Sequence, residues 1–118
     1  MKTSFKDIGG HVSKENENYT THDNVIGDYL VLSKTILYPG KHTAGHKHTQ
    51  QDEIFIITQG TGEIHMRYPD EDQGEMDELY SVKQNDIVSV QAGVFHRVFN
   101  TGEDELHYIR VMNRPTTI

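Results

Sequence analysis

Gly40-Lys41-His42-Thr43-Ala44-Gly45-His46-Lys47-His48-Thr49-Gln50-Gln51-Asp52-Glu53 is the stretch on which the reading of this chain turns. His46 and His48 stand two residues apart, and on a strand the side chains at i and i+2 leave the same face, close enough to share one metal ion. Glu53 follows five residues after His48, an offset that would put it on the opposite face of an unbroken strand. The chain must therefore turn or bulge within Thr49, Gln50, Gln51 and Asp52, whose polar side chains suit that. A fourth candidate ligand is His96, three residues after Gly93 at the start of another apparent strand. Three neutral imidazoles and one carboxylate suit iron(II), manganese, nickel, cobalt or zinc, and leave open positions when the metal is six-coordinate. One divalent transition-metal ion per chain is expected.

Either side of this stretch the pattern is β. The segment YLVLSKTILY, residues 29–38, is rich in β-branched and aromatic residues and ends on Pro39-Gly40. Further strand candidates fall at 41–48, 53–59, 62–68, 79–82, 86–90, 96–100 and 106–112, separated by short polar or glycine-containing turns. No intervening segment is long and amphipathic enough for a crossover helix, so an all-β sandwich or barrel is expected. Residues 1–28 show neither a helical stripe nor sustained alternation and read as a mostly irregular N-terminal arm, with the barrel over 29–118. The acidic run from Pro69 to Glu78, with six carboxylates, reads as a solvated hairpin loop and does not match the spacing of an EF-hand.

At 118 residues the chain fits one domain, and 34% hydrophobic against 25% charged residues is enough to build one core. The formal charge is −7 with no basic cluster, which argues against nucleic acid as a partner. No apolar run approaches the roughly 20 residues that cross a bilayer, and Met1 to Lys6 lacks the apolar stretch of a signal peptide, so a cytoplasmic protein without membrane attachment is expected. The absence of cysteine leaves any metal chemistry to oxygen and nitrogen donors.

The stretch quoted first resembles the cupin superfamily. Its first motif, G-x5-H-x-H-x4-E-x6-G, is met by Gly40, His46, His48, Glu53 and Gly60 without a gap. The second, G-x5-P-x-G-x2-H-x3-N, is met by Gly93, His96 and Asn100, with Asn85 in place of the first glycine and Gln91 in place of the proline. Both departures fall at turns, and Asn tolerates a left-handed backbone, so they bear on loop geometry more than on metal binding. The resemblance implies a single jelly-roll-like β-barrel with the metal held by His46, His48, Glu53 and His96. Such barrels host isomerases, dioxygenases and plain ligand binders, so the fold does not name the reaction.

Alternation along 53–59 points Glu53, Phe55, Ile57 and Gln59 inward and Ile54 and Ile56 outward, which favours a homodimer burying the outer face. Tyr38, Gln91, Arg67, Tyr108 and Arg110 are candidates for orienting a small-molecule ligand, and His65 and His107 for moving a proton. Within the superfamily, Thr43 to His48 resembles the T-x-G-H-x-H signature of cupin-type phosphoglucose isomerases, although the glutamate of that motif is missing. The favoured expectation is thus a metal-dependent isomerase of a sugar or sugar phosphate. The alternatives are an iron-dependent dioxygenase and a non-catalytic sugar-binding module.

Overall fold

The computed structural model describes residues 2–8, 10–25, 27–48, 50–70 and 74–114. Among them the secondary structure is entirely β: β1 (His11–Glu15), β2 (Tyr19–Val25), β3 (Leu30–Leu37), β4 (Glu53–Gln59), β5 (Thr61–Asp70), β6 (Gly74–Lys83), β7 (Ile87–Val90), β8 (Phe95–Asn100) and β9 (Leu106–Asn113). A six-stranded sheet, in the order β1-β2-β3-β9-β4-β7, faces a three-stranded sheet, β6-β5-β8, and every pairing is antiparallel. The result is a jelly-roll-like barrel, as the strand spacing predicts. No helix among the described residues is long and apolar enough to cross a membrane.

The core lies between the sheets. Leu37, Phe55, Ile57, Ile64, Met66, Val98, Leu106 and Tyr108 are each at most 2% exposed and form one cluster with Val82, Val90 and Val94. They occupy alternate positions on β3, β4, β5, β8 and β9, the period-two pattern of strands with one face on a core. On β4, Glu53, Phe55 and Ile57 point inward and Ile54 outward, as expected. Gln59 does not follow them, because the pairing of β4 with β9 slips between Ile57 and Gln59 and turns the strand end outward.

Three boundaries differ from the sequence reading. Residues 41–48 form no continuous strand and make only isolated bridges, His42 to Phe99 and His46 to His96. The acidic run is mostly strand, since β5 extends to Asp70 and β6 starts at Gly74; Glu71, Asp72 and Gln73 lie outside the described residues. The stretch 1–28, expected to be mostly irregular, supplies β1 and β2 to the larger sheet. All of β2 pairs with β3, from Tyr19 opposite Leu37 to Val25 opposite Val31, and all five residues of β1 are exposed. An edge strand with a polar cavity on one side and solvent on the other carries no apolar alternation by which to recognise it.

The substituted motif positions keep the turn geometry. Asn85 adopts a left-handed φ of 78°, and its amide donates to the Ile57 carbonyl at 2.8 Å. At the other end of the motif, buried Asn100 donates through Nδ2 to the carbonyls of Leu37 (2.9 Å) and Asp104 (2.8 Å), and Oδ1 accepts from the Gly102 amide at 2.9 Å. One side chain thereby joins β8, β3 and the turn into β9.

Candidate metal centre

Each of the four motif side chains is brought to the site by a different local device. Glu53 opens β4 on its inward face, 1% exposed. The loop before it is held by Gln51 Nε2 donating to the Asn113 carbonyl, the Asp52 amide donating to Asn113 Oδ1, and Asp52 Oδ1 accepting from the Ala92 amide, all at 2.8 to 2.9 Å. This is the bend that the five-residue offset requires; Thr49 within it is outside the described residues. His46 and His96 exchange backbone hydrogen bonds of 3.0 and 2.9 Å, and the Gly93 amide donates to the His48 carbonyl at 2.7 Å. The chain can bend tightly beneath His46 because Gly45 has a φ of 87° and lies on Phe95, where a Cβ would come within 2.6 Å of the ring.

The four groups converge. One donor atom from each of His46, His48, Glu53 and His96 lies within 4.8 Å of all the others. Ring centroids are 4.5 Å apart for His46 and His48, 4.6 Å for His46 and His96, and 5.7 Å for His48 and His96. His48 Nε2 stands 2.5 Å and His96 Nε2 3.5 Å from Glu53 Oε1. Yet His48 Nε2, His96 Nε2 and both carboxylate oxygens are buried without a hydrogen-bond partner. Buried polar atoms left this way cost free energy unless a further group satisfies them.

The ring of His96 is oriented by the backbone. Its Nδ1 is 3.0 Å from the Val94 carbonyl, which can only accept, so Nδ1 carries a proton and Nε2 is the ring atom turned toward the carboxylate. Ring nitrogens and carboxylate oxygens that converge without hydrogen-bond partners can together hold a cation. The donor set of three imidazoles and one carboxylate fits a divalent transition ion.

The electrostatics keep these groups ready to ligate. Burial, then the neighbouring His96 and His48, push the His46 imidazole down to about 4. The His48 imidazole is also lowered, chiefly by burial, against the opposing pull of Glu53. Burial pushes the Glu53 carboxyl up, but His96, Arg110 and His48 together outweigh it and hold the group below the usual carboxylate range. At neutral pH both rings are neutral and the carboxylate is charged, the forms that bind metal.

His46, His48 and His96 line a cavity of about 500 Å³ between the sheets, with Phe55, Val98 and Met112 as apolar wall and Tyr108 and Arg110 among its polar groups. Burial pushes the Tyr108 hydroxyl up to about 12, so it stays protonated and donates. The remaining sequence candidates lie elsewhere, for a common reason of strand parity. Tyr38 follows inward Leu37 and hydrogen-bonds Thr20 at 2.7 Å. Gln91 follows inward Val90 and is exposed. His65 and Arg67 alternate with buried Ile64 and Met66, and both reach Asp77 on the outer face, at 3.5 and 2.9 Å. His107, between Leu106 and Tyr108, meets Glu105 at 3.0 Å. None of these five lines the cavity.

Sequence reasoning missed Ser13, Lys14, Tyr19, Thr21 and Asp23, which form the cavity wall contributed by β1 and β2.

This two-sheet β-barrel gathers three histidines and a glutamate, a set that could hold a metal ion, beside a cavity between the sheets. The profile of the cupin-domain family matches residues 34–112, and the chain belongs to that family. Among curated proteins it is similar to mannose-1-phosphate guanylyltransferase of Sinorhizobium fredii, 27% identical over 93 residues that make up 79% of this chain; it spans 16% of that protein's length. Among solved structures it is similar to vicilin of hazelnut, Corylus avellana (TM-score 0.80, 14% identity, 88% of this chain and 32% of that one). It is also similar to the oxalate decarboxylase of Bacillus subtilis, described with Mn(II) centres (TM-score 0.77, 15% identity, 88% of this chain and 28% of that one). At these identities the structural likenesses establish the fold.

Proposed function

We propose that this cupin holds one divalent transition-metal ion (iron, manganese, nickel, cobalt or zinc) through His46, His48, Glu53 and His96. In this reading it acts on a small sugar phosphate or sugar, with isomerisation as the reaction. The observation that carries the reading is the convergence of four donor groups, with buried lone pairs unsatisfied, beside a cavity of about 500 Å³. The similarity to mannose-1-phosphate guanylyltransferase, a sugar-phosphate enzyme, and the Mn(II) centres of the oxalate decarboxylase neighbour support it.

A bound ion would supply Lewis acidity toward carbonyl and hydroxyl oxygens. The chain's own residues do the rest. Phe55, Val98 and Met112 exclude water from one side of the cavity, while Tyr108 donates a hydrogen bond and Thr21 and Thr35 offer hydroxyls to ligand oxygens. The expected homodimer belongs to the same proposal, supported by Ile54 and Ile87, 42% and 68% exposed on the outer face of β4 and β7.

A second reading, a non-catalytic binding module, is favoured by one observation. His65 and His107, the expected proton carriers, lie outside the cavity, whose only imidazoles among the described residues are those of the metal set. Incubating metal-loaded protein with aldose and ketose phosphates in deuterated water tests both readings. Exchange at the carbon next to the carbonyl that is lost in Glu53→Ala supports the isomerase. Binding without exchange supports the module, and oxygen consumption with an iron-loaded sample would replace both with a dioxygenase.

A further inference from the structure

The inner face of the larger sheet carries two cations joined by a polar floor. Along one cross-strand row, Lys14 on β1 stands opposite Thr21 on β2, Thr21 opposite Thr35 on β3, and Thr35 opposite Tyr108 on β9. The hydroxyls of Thr21 and Thr35 are 2.9 Å apart. In the next row Asp23 stands opposite Ser33, which donates to its carboxylate at 2.5 Å, and Ser33 stands opposite Arg110. All of these except Ser33 line the cavity beside the metal set.

Arg110 is the unusual member. Its guanidinium reaches within 3.8 Å of Glu53 Oε2, its side chain is 17% exposed, and its Nε is buried without a hydrogen-bond partner. A guanidinium is permanently charged and presents a planar fork of donors suited to carboxylate and phosphate. The Nε of this fork has no partner, and the residue lines the cavity. Lys14 lies three strands away, roughly 14 Å between backbones at ordinary strand spacing, with Thr21, Thr35 and Tyr108 offering hydroxyls between. With a divalent ion in place, the ion, Arg110 and Lys14 outweigh Glu53 and Asp23 by two positive charges inside a protein whose formal charge is −7. Such local concentration of positive charge in a walled cavity selects anions.

We propose that Arg110 and Lys14 are anion-recognition residues, so that the ligand is a polyhydroxylated anion, a sugar phosphate or sugar acid, and neutral sugars are rejected. This rests on the metal reading given above and narrows it. Arg110 binds a charged oxygen group close to the ion, the threonine and tyrosine hydroxyls meet the ligand's hydroxyls, and Lys14 attracts the far end electrostatically.

Calorimetric titration of the full chain with fructose 6-phosphate, gluconate and fructose tests this, with metal content measured separately by elemental analysis. Fructose 6-phosphate, gluconate or both should bind the metal-loaded protein at least about tenfold more tightly than fructose, the usual scale of a charge-assisted hydrogen bond. Which of the two binds better distinguishes phosphate from carboxylate as the anionic group. Arg110→Gln should abolish most of that preference and Arg110→Lys restore part of it, each with circular dichroism like that of the wild type. Lys14→Gln, on an exposed edge strand where folding is not at risk, should weaken anion binding a few-fold and flatten its dependence on salt. Equal affinity for fructose, a preference unchanged in both Arg110→Gln and Lys14→Gln, or no binding of any of the three to protein that carries metal would overturn the inference while leaving the metal reading intact. Absence of metal from the wild type would overturn the reading beneath it, and the same titrations on chelated protein would then show whether the two cations select anions by themselves.

Discussion

Replacing Asn100 with alanine removes three hydrogen bonds at once, to the carbonyls of Leu37 and Asp104 and from the amide of Gly102, at a position 3% exposed. Each such bond contributes about 1 kcal/mol net, and the Leu37 carbonyl it abandons is on a fully buried residue with no water to replace the donor. The expected loss is about 3 kcal/mol, a large part of the stability of a domain this size. Urea denaturation of chelated protein at one fixed concentration, followed by circular dichroism, should show the midpoint falling by roughly 1 to 3 M with the slope unchanged. Asn100→Asp is the informative companion. It keeps the acceptor for Gly102 but turns a carboxylate toward two carbonyls, so it should cost at least as much as alanine. A loss below about 1 kcal/mol for Asn100→Ala, or an aspartate milder than the alanine, would refute the reasoning that this side chain joins β8, β3 and the turn before β9.

Gly45→Ala should destabilise by about 1 to 3 kcal/mol and weaken metal binding, because a side chain at φ 87° is strained and meets Phe95. Gly40→Ala, at φ 72° with open space around it, should cost about 1 kcal/mol and leave metal binding alone; thermal melts and metal titrations of the two separate the effects. Metal-free protein should lose stability as pH falls. The unfolded chain protonates His46 near 6.5 while the folded chain resists until about 4, so the loss accrues between those values, and depressed Glu53 adds to it below the ordinary glutamate value of 4.5. Urea midpoints at stepped pH check this, and a midpoint that rises on acidification through that window would contradict it.

The candidate metal set was legible because its spacing is set by local chain geometry: two histidines on one side of an extended segment, then a glutamate whose odd offset demands a bend. That bend is present, tied by Asp52 to Ala92 and Asn113. Strand parity was equally available for the candidates that fell outside the cavity, since His65 and Arg67 flank Met66, and His107 flanks Tyr108, both buried at 2% or less. Applying to β5 and β9 the alternation that placed Phe55 inward would have set those three residues on the outer face and kept Tyr108 and Arg110. The wall formed by Lys14, Thr21 and Asp23 was not legible. Its strands face a polar cavity on one side and solvent on the other, so they carry no apolar period, and their place is set by pairing with β3 far along the chain.

The central claim is tested most directly by the metal content of protein dialysed after loading with a single divalent ion such as cobalt(II) or manganese(II). About one ion per chain is expected in the wild type, and little or none in His48→Ala, His96→Ala and Glu53→Ala, while His65→Ala and His107→Ala, whose rings lie on the outer face, retain it. Unchanged metal content in His48→Ala and His96→Ala, or loss of the ion in His65→Ala, would contradict the account.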